Sequence, residues 1–141
     1  MLEQAAAQFD QEIVVSPQEP WSYENRGAIY LDQGNPKDAA RMFREALAIN
    51  PRMPLSLGGL GKVCVRKGNP REAISYFKRA IAIQPDSANL HVQLGQAYLK
   101  AGLRAEAEKQ FAAAGQLQGQ ARERQEENLF GKLPAPQVAA P

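Results

Sequence analysis

Apolar and small residues recur along the chain with the spacing of one face of an α-helix. Residues 20–53 carry two successive stripes at i, i+3, i+4, i+7 and i+8, the pattern of two amphipathic helices. The first stripe is Tyr23, Arg26, Gly27, Tyr30 and Leu31, and the second is Ala39, Met42, Phe43, Ala46 and Leu47. Both stripes return in residues 54–87 and 88–121, so the pattern predicts three helix pairs and an all-α fold.

The stripes return because the sequence repeats with a period of 34 residues. Self-similarity at a fixed period is the signature of a repeat architecture. Five columns keep their residue type in all three copies: Gly27/Gly61/Gly95, Gly34/Gly68/Gly102, Ala39/Ala73/Ala107, Phe43/Phe77/Phe111 and Ala46/Ala80/Ala114. We therefore divide the chain into repeat 1 at 20–53, repeat 2 at 54–87 and repeat 3 at 88–121.

Turn and capping residues separate the predicted helices within each repeat. Gly34 and Gly68 suit the residue after a helix, where the backbone needs a positive φ. In Asn35–Pro36 and the equivalent residues of repeat 2, Asn is expected to cap the next helix, with Pro in its first position. Pro51 and Pro85 end the second helix of repeats 1 and 2, whereas the third copy has Gly at this place.

These columns closely resemble the tetratricopeptide repeat, which has the same period, the same Gly, Ala and Phe columns and a closing Pro. The resemblance covers 102 of the 141 residues. It implies a right-handed α-solenoid of antiparallel helix pairs. It also implies that the first helix of each pair lines a concave groove, which in this family usually binds a peptide or partner protein. Open solenoid surfaces of this kind commonly serve recognition.

Residues 1–19 also follow the repeat pattern. Shifting the second-helix columns back by 34 places small and apolar residues at Ala5, Ala6, Phe9 and Ile13, so residues 2–15 are predicted to be the second helix of an incomplete repeat. Either the chain is a fragment of a longer array, or this helix is a natural N-terminal cap. The fragment is favoured because Phe9 would lose a packing wall, and because caps normally have a polar outer face.

The other end of the chain becomes polar. Residues 122–131 are predicted to form a polar capping helix that shields repeat 3. Residues 132–141 contain three Pro and three Ala, which indicates a disordered or extended tail, and their spacing lacks the P-x-x-P pattern of ligands for proline-binding modules.

Composition excludes several classes of protein. The chain has 17 Lys and Arg against 15 Asp and Glu, a net charge of +2 that is too balanced for a protein held to nucleic acid by charge. No apolar run is long enough to cross a bilayer, and the N-terminus lacks the pattern of a signal peptide. We therefore expect a cytoplasmic protein that neither binds nucleic acid nor inserts into a membrane.

Candidate catalytic and metal-binding residues are few. One Cys and one His cannot form a disulfide framework or a structural zinc site. His91 lies in a core stripe and is interpreted as a packing residue, and Cys64 as a small buried thiol with no His near it. The sequence predicts a non-enzymatic protein without cofactor or metal.

The predicted groove consists of first-helix residues outside the core stripes. It comprises Trp21, Glu24, Asn25, Ala28, Leu55, Gly58, Gly59, Lys62, Arg66, Val92, Gln93, Gln96 and Lys100. Lys62, Arg66 and Lys100 lie toward one end of the helices, where an acidic group of a partner could dock; a solvated basic face is the alternative. Gly58 and Gly59 are interpreted either as drift in a tolerant repeat or as a flat floor that a ligand backbone approaches.

Two functions remain open at the level of sequence. The first is a protein–protein interaction scaffold that binds a partner peptide or protein segment in the groove. The second is a self-association or spacer module of a larger protein, including a regulatory part of an enzyme, with no dedicated groove ligand. The apolar face of helix 2–15 favours the second function, because it could form a homo-oligomer.

Overall fold

Seven helices and no strand make up residues 1–131, the part of the chain that the computed structural model describes. They are α1 (Leu2–Val15), α2 (Pro20–Asp32), α3 (Pro36–Ile49), α4 (Pro54–Arg66), α5 (Pro70–Ile83), α6 (Ala88–Lys100) and α7 (Arg104–Phe130). Each helix packs on the next along the chain, and α2 also contacts α4. The predicted all-α solenoid is confirmed. The predicted tail, 132–141, lies outside the described residues.

Glycine ends the first helix of every repeat in the same conformation. Gly34, Gly68 and Gly102 have φ values of 75°, 79° and 79°. After α2, the amide of Asn35 donates to the carbonyl of Tyr30 at 2.8 Å, the long hydrogen bond of a Schellman motif. A Cβ at any of the three glycines would meet nothing within 4 Å. The backbone conformation, and not a lack of space, therefore requires glycine here.

The helix starts differ in part from the prediction. Pro occupies the first position of α2, α3, α4 and α5, where its missing N–H costs nothing. The side chains of Asn35 and Asn69 make no capping hydrogen bond; Asn35 Nδ2 instead donates to Asp38 Oδ2 at 2.7 Å. Ser87, which the sequence pattern did not single out, caps α6 by accepting a hydrogen bond from the Leu90 amide at 3.3 Å.

The phenylalanine that recurs in every repeat fills the space that a glycine leaves on the first helix. The three residues are Phe43, Phe77 and Phe111. A Cβ at Gly61 would lie 2.7 Å from the Phe77 ring, a distance at which something must move. Phe43 has glycine on two helices, because a Cβ at Gly27 or at Gly59 would lie 2.8 or 2.5 Å from its ring. Both rings are 1% exposed. This packing brings α2 of repeat 1 close to α4 of repeat 2.

Helix α1 lies against α2 as the second helix of a pair would. Ala6 is buried and Phe9 is half-buried, while Arg26 of α2 donates from Nε to Asp10 Oδ1 at 2.9 Å. Leu2, Val14 and Val15 remain exposed. The apolar surface of α1 is therefore only partly covered by the described residues.

The C-terminal helix does not have the predicted break. Helix α7 is continuous over 27 residues, so 122–131 is not a separate helix, and residues 120–131 are all exposed. These residues therefore do not shield repeat 3. The reason is local: Pro51 and Pro85 cannot continue α3 and α5, whereas Gly119 at the equivalent place leaves the helix intact.

Candidate functional site

A pocket of about 530 Å³ opens between the first helices of the three repeats. We call it the central pocket. Its walls come from α2, α4 and α6, from Phe43 of α3, and from the loops that precede α4 and α6. The lining residues are Trp21, Glu24, Ala28, Leu31, Asp32, Phe43, Asn50, Arg52, Met53, Pro54, Leu55, Gly58, Gly59, Lys62, Gln84, Ser87, Asn89, Leu90 and Gln93. Its volume falls within the roughly 300–1,000 Å³ of ligand pockets.

Part of the predicted groove meets in this pocket. The predicted residues that line it are Trp21, Glu24, Ala28, Leu55, Gly58, Gly59, Lys62 and Gln93. The predicted residues that do not line it are Asn25, Arg66, Val92, Gln96 and Lys100. The structure thus concentrates the site on α2 and α4, and repeat 3 contributes less than the sequence predicted.

The three basic residues predicted to act together are separated. Arg66 Nη1 donates to the carbonyl oxygen of Leu31 at 2.9 Å, so its guanidinium closes the C-terminal end of α2. Lys100 lines a different, shallow cavity beside Glu72. Lys62 is exposed and lines the central pocket. A common anchor for an acidic group therefore does not exist among these three side chains.

The two adjacent glycines of α4 have unequal surroundings. A Cβ at Gly59 would lie 2.5 Å from the Phe43 ring, so the packing of Phe43 requires glycine at this position. Neither of the two interpretations made from the sequence included this packing role. A Cβ at Gly58 would approach only Leu90 Cδ2, at 3.3 Å. Both residues line the central pocket. The interpretation as a surface that a ligand backbone could approach therefore applies to Gly58 and not to Gly59.

A carboxylate lies in the wall of the central pocket. Glu24 is only 4% exposed, and its Oε2 accepts a hydrogen bond at 2.6 Å from Oγ of Ser56, which is 0% exposed. Burial raises the pKa of Glu24 above its ordinary value of 4.5, and the hydrogen bonds from Ser56 oppose this shift. The pair joins α2 to the first turn of α4.

A second pair of the same kind joins α1 to α2. Ser22, which is 3% exposed, donates to Glu12 Oε2 at 3.0 Å. Between these helices lies an N-terminal pocket of about 440 Å³, lined by Gln8, Gln11, Glu12, Val15, Ser16, Glu19, Trp21 and Ser22. Trp21 is 61% exposed and lines both pockets.

Sequence reasoning missed the loop residues of the central pocket and the two buried serines. Asn50, Arg52 and Met53 enter from the loop before α4, and helix periodicity says nothing about them. Ser22 and Ser56 are 34 residues apart, and each donates to a glutamate of an earlier helix, Glu12 of α1 or Glu24 of α2. The Ser22/Ser56 column, which has Leu90 in repeat 3, was the signal that could have found them.

Family models match nearly the whole of the described chain. Two models, both described as tetratricopeptide repeat, match residues 2–54 and 25–88, and residues 65–125. The chain belongs to the tetratricopeptide repeat family. This confirms the resemblance inferred from the 34-residue columns.

Solved structures show the same fold. A crystal structure of MamA has a TM-score of 0.78 at 23% identity, with 86% of this chain and 71% of that chain covered. A second crystal structure of MamA protein has a TM-score of 0.73 at 21% identity, covering 96% of this chain and 71% of that one. The MamA MSR-1 C2 structure has a TM-score of 0.72 at 21% identity, covering 85% and 69%. No curated protein matches the sequence.

Membership of the tetratricopeptide repeat family assigns a general role. The chain is a protein-interaction scaffold of a family that is generally non-catalytic. Within residues 1–131 no helix is both long and apolar enough to cross a membrane. In the same part of the chain, no group of three or more His, Cys, Asp or Glu residues could hold a metal ion. The absence of enzymatic activity remains a prediction.

The two residues considered for chemistry lie in structural positions of the repeats. The His91 ring of α6 contacts α7 and the loop before α6. Its Nδ1 lies 2.7 Å from Oε1 of Gln110, and its Nε2 lies 2.9 Å from the carbonyl oxygen of Pro85. Cys64 is buried. Burial is the main cause that raises the pKa of its thiol, and the nearby carboxylate of Glu72 raises this pKa further. A raised pKa keeps the thiol protonated at neutral pH, which makes it a poor nucleophile.

Proposed function

We propose that this tetratricopeptide repeat chain binds a segment of a partner protein in the central pocket, in the cytoplasm. The observation that carries the proposal is a pair of exposed apolar side chains at the pocket, Trp21 at 61% and Leu55 at 56%. Tryptophan is enriched among the residues that dominate binding energy at protein interfaces. Lys62 adds an exposed charge to the same lining.

The proposal is tested by capture of partners with paired variants. Trp21→Ala with Leu55→Ala removes the apolar side chains at the pocket. Leu129→Ala with Phe130→Ala is the matched control, because these side chains are exposed to a similar degree, 70% and 63%, but belong to the end of α7. We expect proteins captured by wild type and by the control to be lost with the pocket variant, as measured by quantitative mass spectrometry.

The double variants must first show the far-ultraviolet circular dichroism and melting temperature of the wild type. With folding established, equal recovery of every captured protein by the pocket variant and by the control contradicts the proposal. Arg66 is left unchanged, because its hydrogen bond to Leu31 makes any substitution a test of the fold as well.

Self-association through α1 is the second candidate function. Val14 and Val15 are 82% and 81% exposed on a helix that already carries a partly buried apolar face. We expect Val14→Glu with Val15→Glu to abolish any concentration-dependent rise in the sedimentation coefficient. A wild-type chain that sediments as a monomer at all concentrations up to about 1 mM, the range of the weakest specific complexes, contradicts this candidate.

A further inference from the structure

Glu24 has a buried carboxyl group without a cationic partner in the part of the chain that the structure describes. Its side chain lines the central pocket while the residue is 4% exposed. Ser56 Oγ is the side-chain donor that reaches it. No Lys, Arg or His nitrogen of residues 1–131 lies within 4.0 Å of its carboxylate. Buried carboxylates are normally paired, so this one has capacity for a cation.

Buried apolar side chains share the lining of the central pocket with Glu24. These are Leu31, Phe43, Met53 and Leu90. An anion in such surroundings interacts with a cation more strongly than an anion in water does, because neighbouring water screens it less. The pocket therefore combines one buried acceptor with walls that suit hydrocarbon.

The other charged residues of the lining are exposed. Asp32, Arg52 and Lys62 are all open to solvent, and they amount to one acid and two bases. Exposed ion pairs contribute little, with a median near zero to about 1 kcal/mol. Glu24 is consequently the charged group in the lining that distinguishes most strongly between occupants.

We propose that the central pocket receives a Lys or Arg side chain from an extended segment of a partner protein, with the cationic head on Glu24. This inference rests on the proposed function and names the chemistry of its ligand. Lys and Arg combine a charged head with a methylene stem that can be buried along apolar surface. Leu31, Leu90 and Leu55 provide that surface. A carboxylate hydrogen-bonded to a cation makes a stronger contact than a neutral pair does.

The test uses the sole tryptophan of the chain as a reporter inside the site. The probes are four mixtures of synthetic nonapeptides without tryptophan, each with a fixed central Lys, Arg, Met or Glu and with Ala, Leu or Ser at the flanking positions. Each mixture is titrated into the full chain at pH 7.5 and physiological ionic strength, while Trp21 fluorescence is recorded. We expect the Lys or the Arg mixture to bind at least about tenfold more tightly than the Met mixture.

Glu24→Gln removes the charge but keeps the size and an oxygen that accepts from Ser56. We expect this variant to lose about tenfold in affinity for the preferred basic mixture and to bind the Met mixture as before. Asp86→Asn is the matched control, because it removes an exposed acid that lies outside the lining of the central pocket. We expect it to change the affinity of any mixture less than about twofold.

Any of the following results would overturn the inference. The first is equal affinity of wild type for the basic and Met mixtures, or no loss with Glu24→Gln. The second is preference for the Glu mixture, which would assign the specificity to Lys62 and an acidic partner. The third is no fluorescence response to any mixture up to about 1 mM. None of these affects the capture experiment with the Trp21 and Leu55 variant, so failure of the proposed function is read separately.

Discussion

Individual residues at the junction of α2, α3 and α4 decide how closely these helices approach. The Phe43 ring lies against Gly27 on one helix and Gly59 on the next, and neither position has room for a Cβ. Gly58, one residue earlier, meets only the flexible end of Leu90. Adjacent residues of identical type therefore have different reasons to be glycine.

Substitution by alanine separates these reasons. We expect Gly59→Ala to lower the free energy of unfolding by about 1–3 kcal/mol, because the methyl group forces the Phe43 ring to move. Gly58→Ala should leave stability unchanged or raise it, by at most about 1 kcal/mol, because the helix gains a better former. Urea unfolding of both variants measures the difference. Equal effects of the two substitutions would show that the Phe43 contact is unimportant.

Glu24 makes stability depend on pH in a direction that can be worked out. Its folded-state pKa is raised, so the folded chain binds the proton more tightly than the unfolded chain does. Glu24 therefore makes its full contribution to stability at pH values below its unfolded-state pKa, which is near 4.5. This contribution is lost as the pH rises through the folded-state pKa. Above the folded pKa, the ionised Glu24 side chain lowers the stability of the folded chain.

We accordingly expect Glu24→Gln to melt at a higher temperature than wild type at pH 7. The gap should narrow as the pH falls toward 4 and Glu24 becomes protonated in the wild type. Thermal melts across this range, with Asp32→Asn as the exposed control, check the prediction. A variant that melts below wild type at pH 7 would mean that the Ser56 hydrogen bond outweighs the burial of the charge.

At the scale of the helices, the glycine turns and the closing prolines set where each element ends. Gly68 adopts a φ of 79° with open space around it, whereas Gly115 lies within α7 and also has nothing within 4 Å of its would-be Cβ. The two sites differ in backbone conformation alone.

Alanine should therefore have opposite effects at these two glycines. Gly68→Ala is expected to cost about 1–2 kcal/mol, the penalty for a side chain in the left-handed region. Gly115→Ala should gain up to about 1 kcal/mol in helix propensity. Chemical unfolding followed by circular dichroism gives both values. A neutral Gly68→Ala would indicate that the turn can adopt another conformation.

The sequence predicted the helix positions well, because the spacing of apolar residues and the residues of the turns both determine the local backbone conformation. Residues 2–15 and the helix pairs of 20–121 lie where the stripes place them. The end of α7 was predicted wrongly, because the polar composition of 122–131 was taken as a boundary although no proline interrupts the helix. Composition changed at that point, but the backbone signal for a stop was absent.

At the scale of the molecule, each repeat is held by its neighbours and not by a central core. Phe77, 1% exposed, packs in a cluster with Leu57 of α4 and with Leu94 and Tyr98 of α6, so it joins repeat 2 to repeat 3. In repeat arrays, stability is close to a sum of repeat and interface contributions. Loss of a residue that serves both should be costly.

Phe77→Ala is expected to lower the free energy of unfolding by about 3–5 kcal/mol, as a large core truncation does. Phe111→Ala, at the equivalent place in repeat 3, should cost less because Phe111 is only half-buried. Guanidinium unfolding by circular dichroism compares the two. A loss below about 1 kcal/mol for Phe77→Ala would contradict the assigned role.

The pocket was only partly predictable for a reason that also operates at this scale. The helix stripes leave Trp21, Leu55 and Lys62 outside the core, and all three residues line the central pocket. They could not show that Glu24 is buried against Ser56, because that contact depends on how α4 stacks on α2. Nor could they show that Arg66 reaches Leu31 across the repeats. The spacing of residues in the sequence defines the faces of each helix. The distance between stacked helices decides which side chains on those faces make contacts across the repeats and which remain available to a ligand.

Trp21 belongs to the lining of both the central pocket and the N-terminal pocket. The two pockets therefore share one indole ring. A ligand in either pocket that selects a rotamer of Trp21 changes the affinity of the other pocket, and thermodynamics requires the same factor in both directions. Any coupling between ligands of the central pocket and the N-terminal pocket would therefore pass through the conformation of this one side chain.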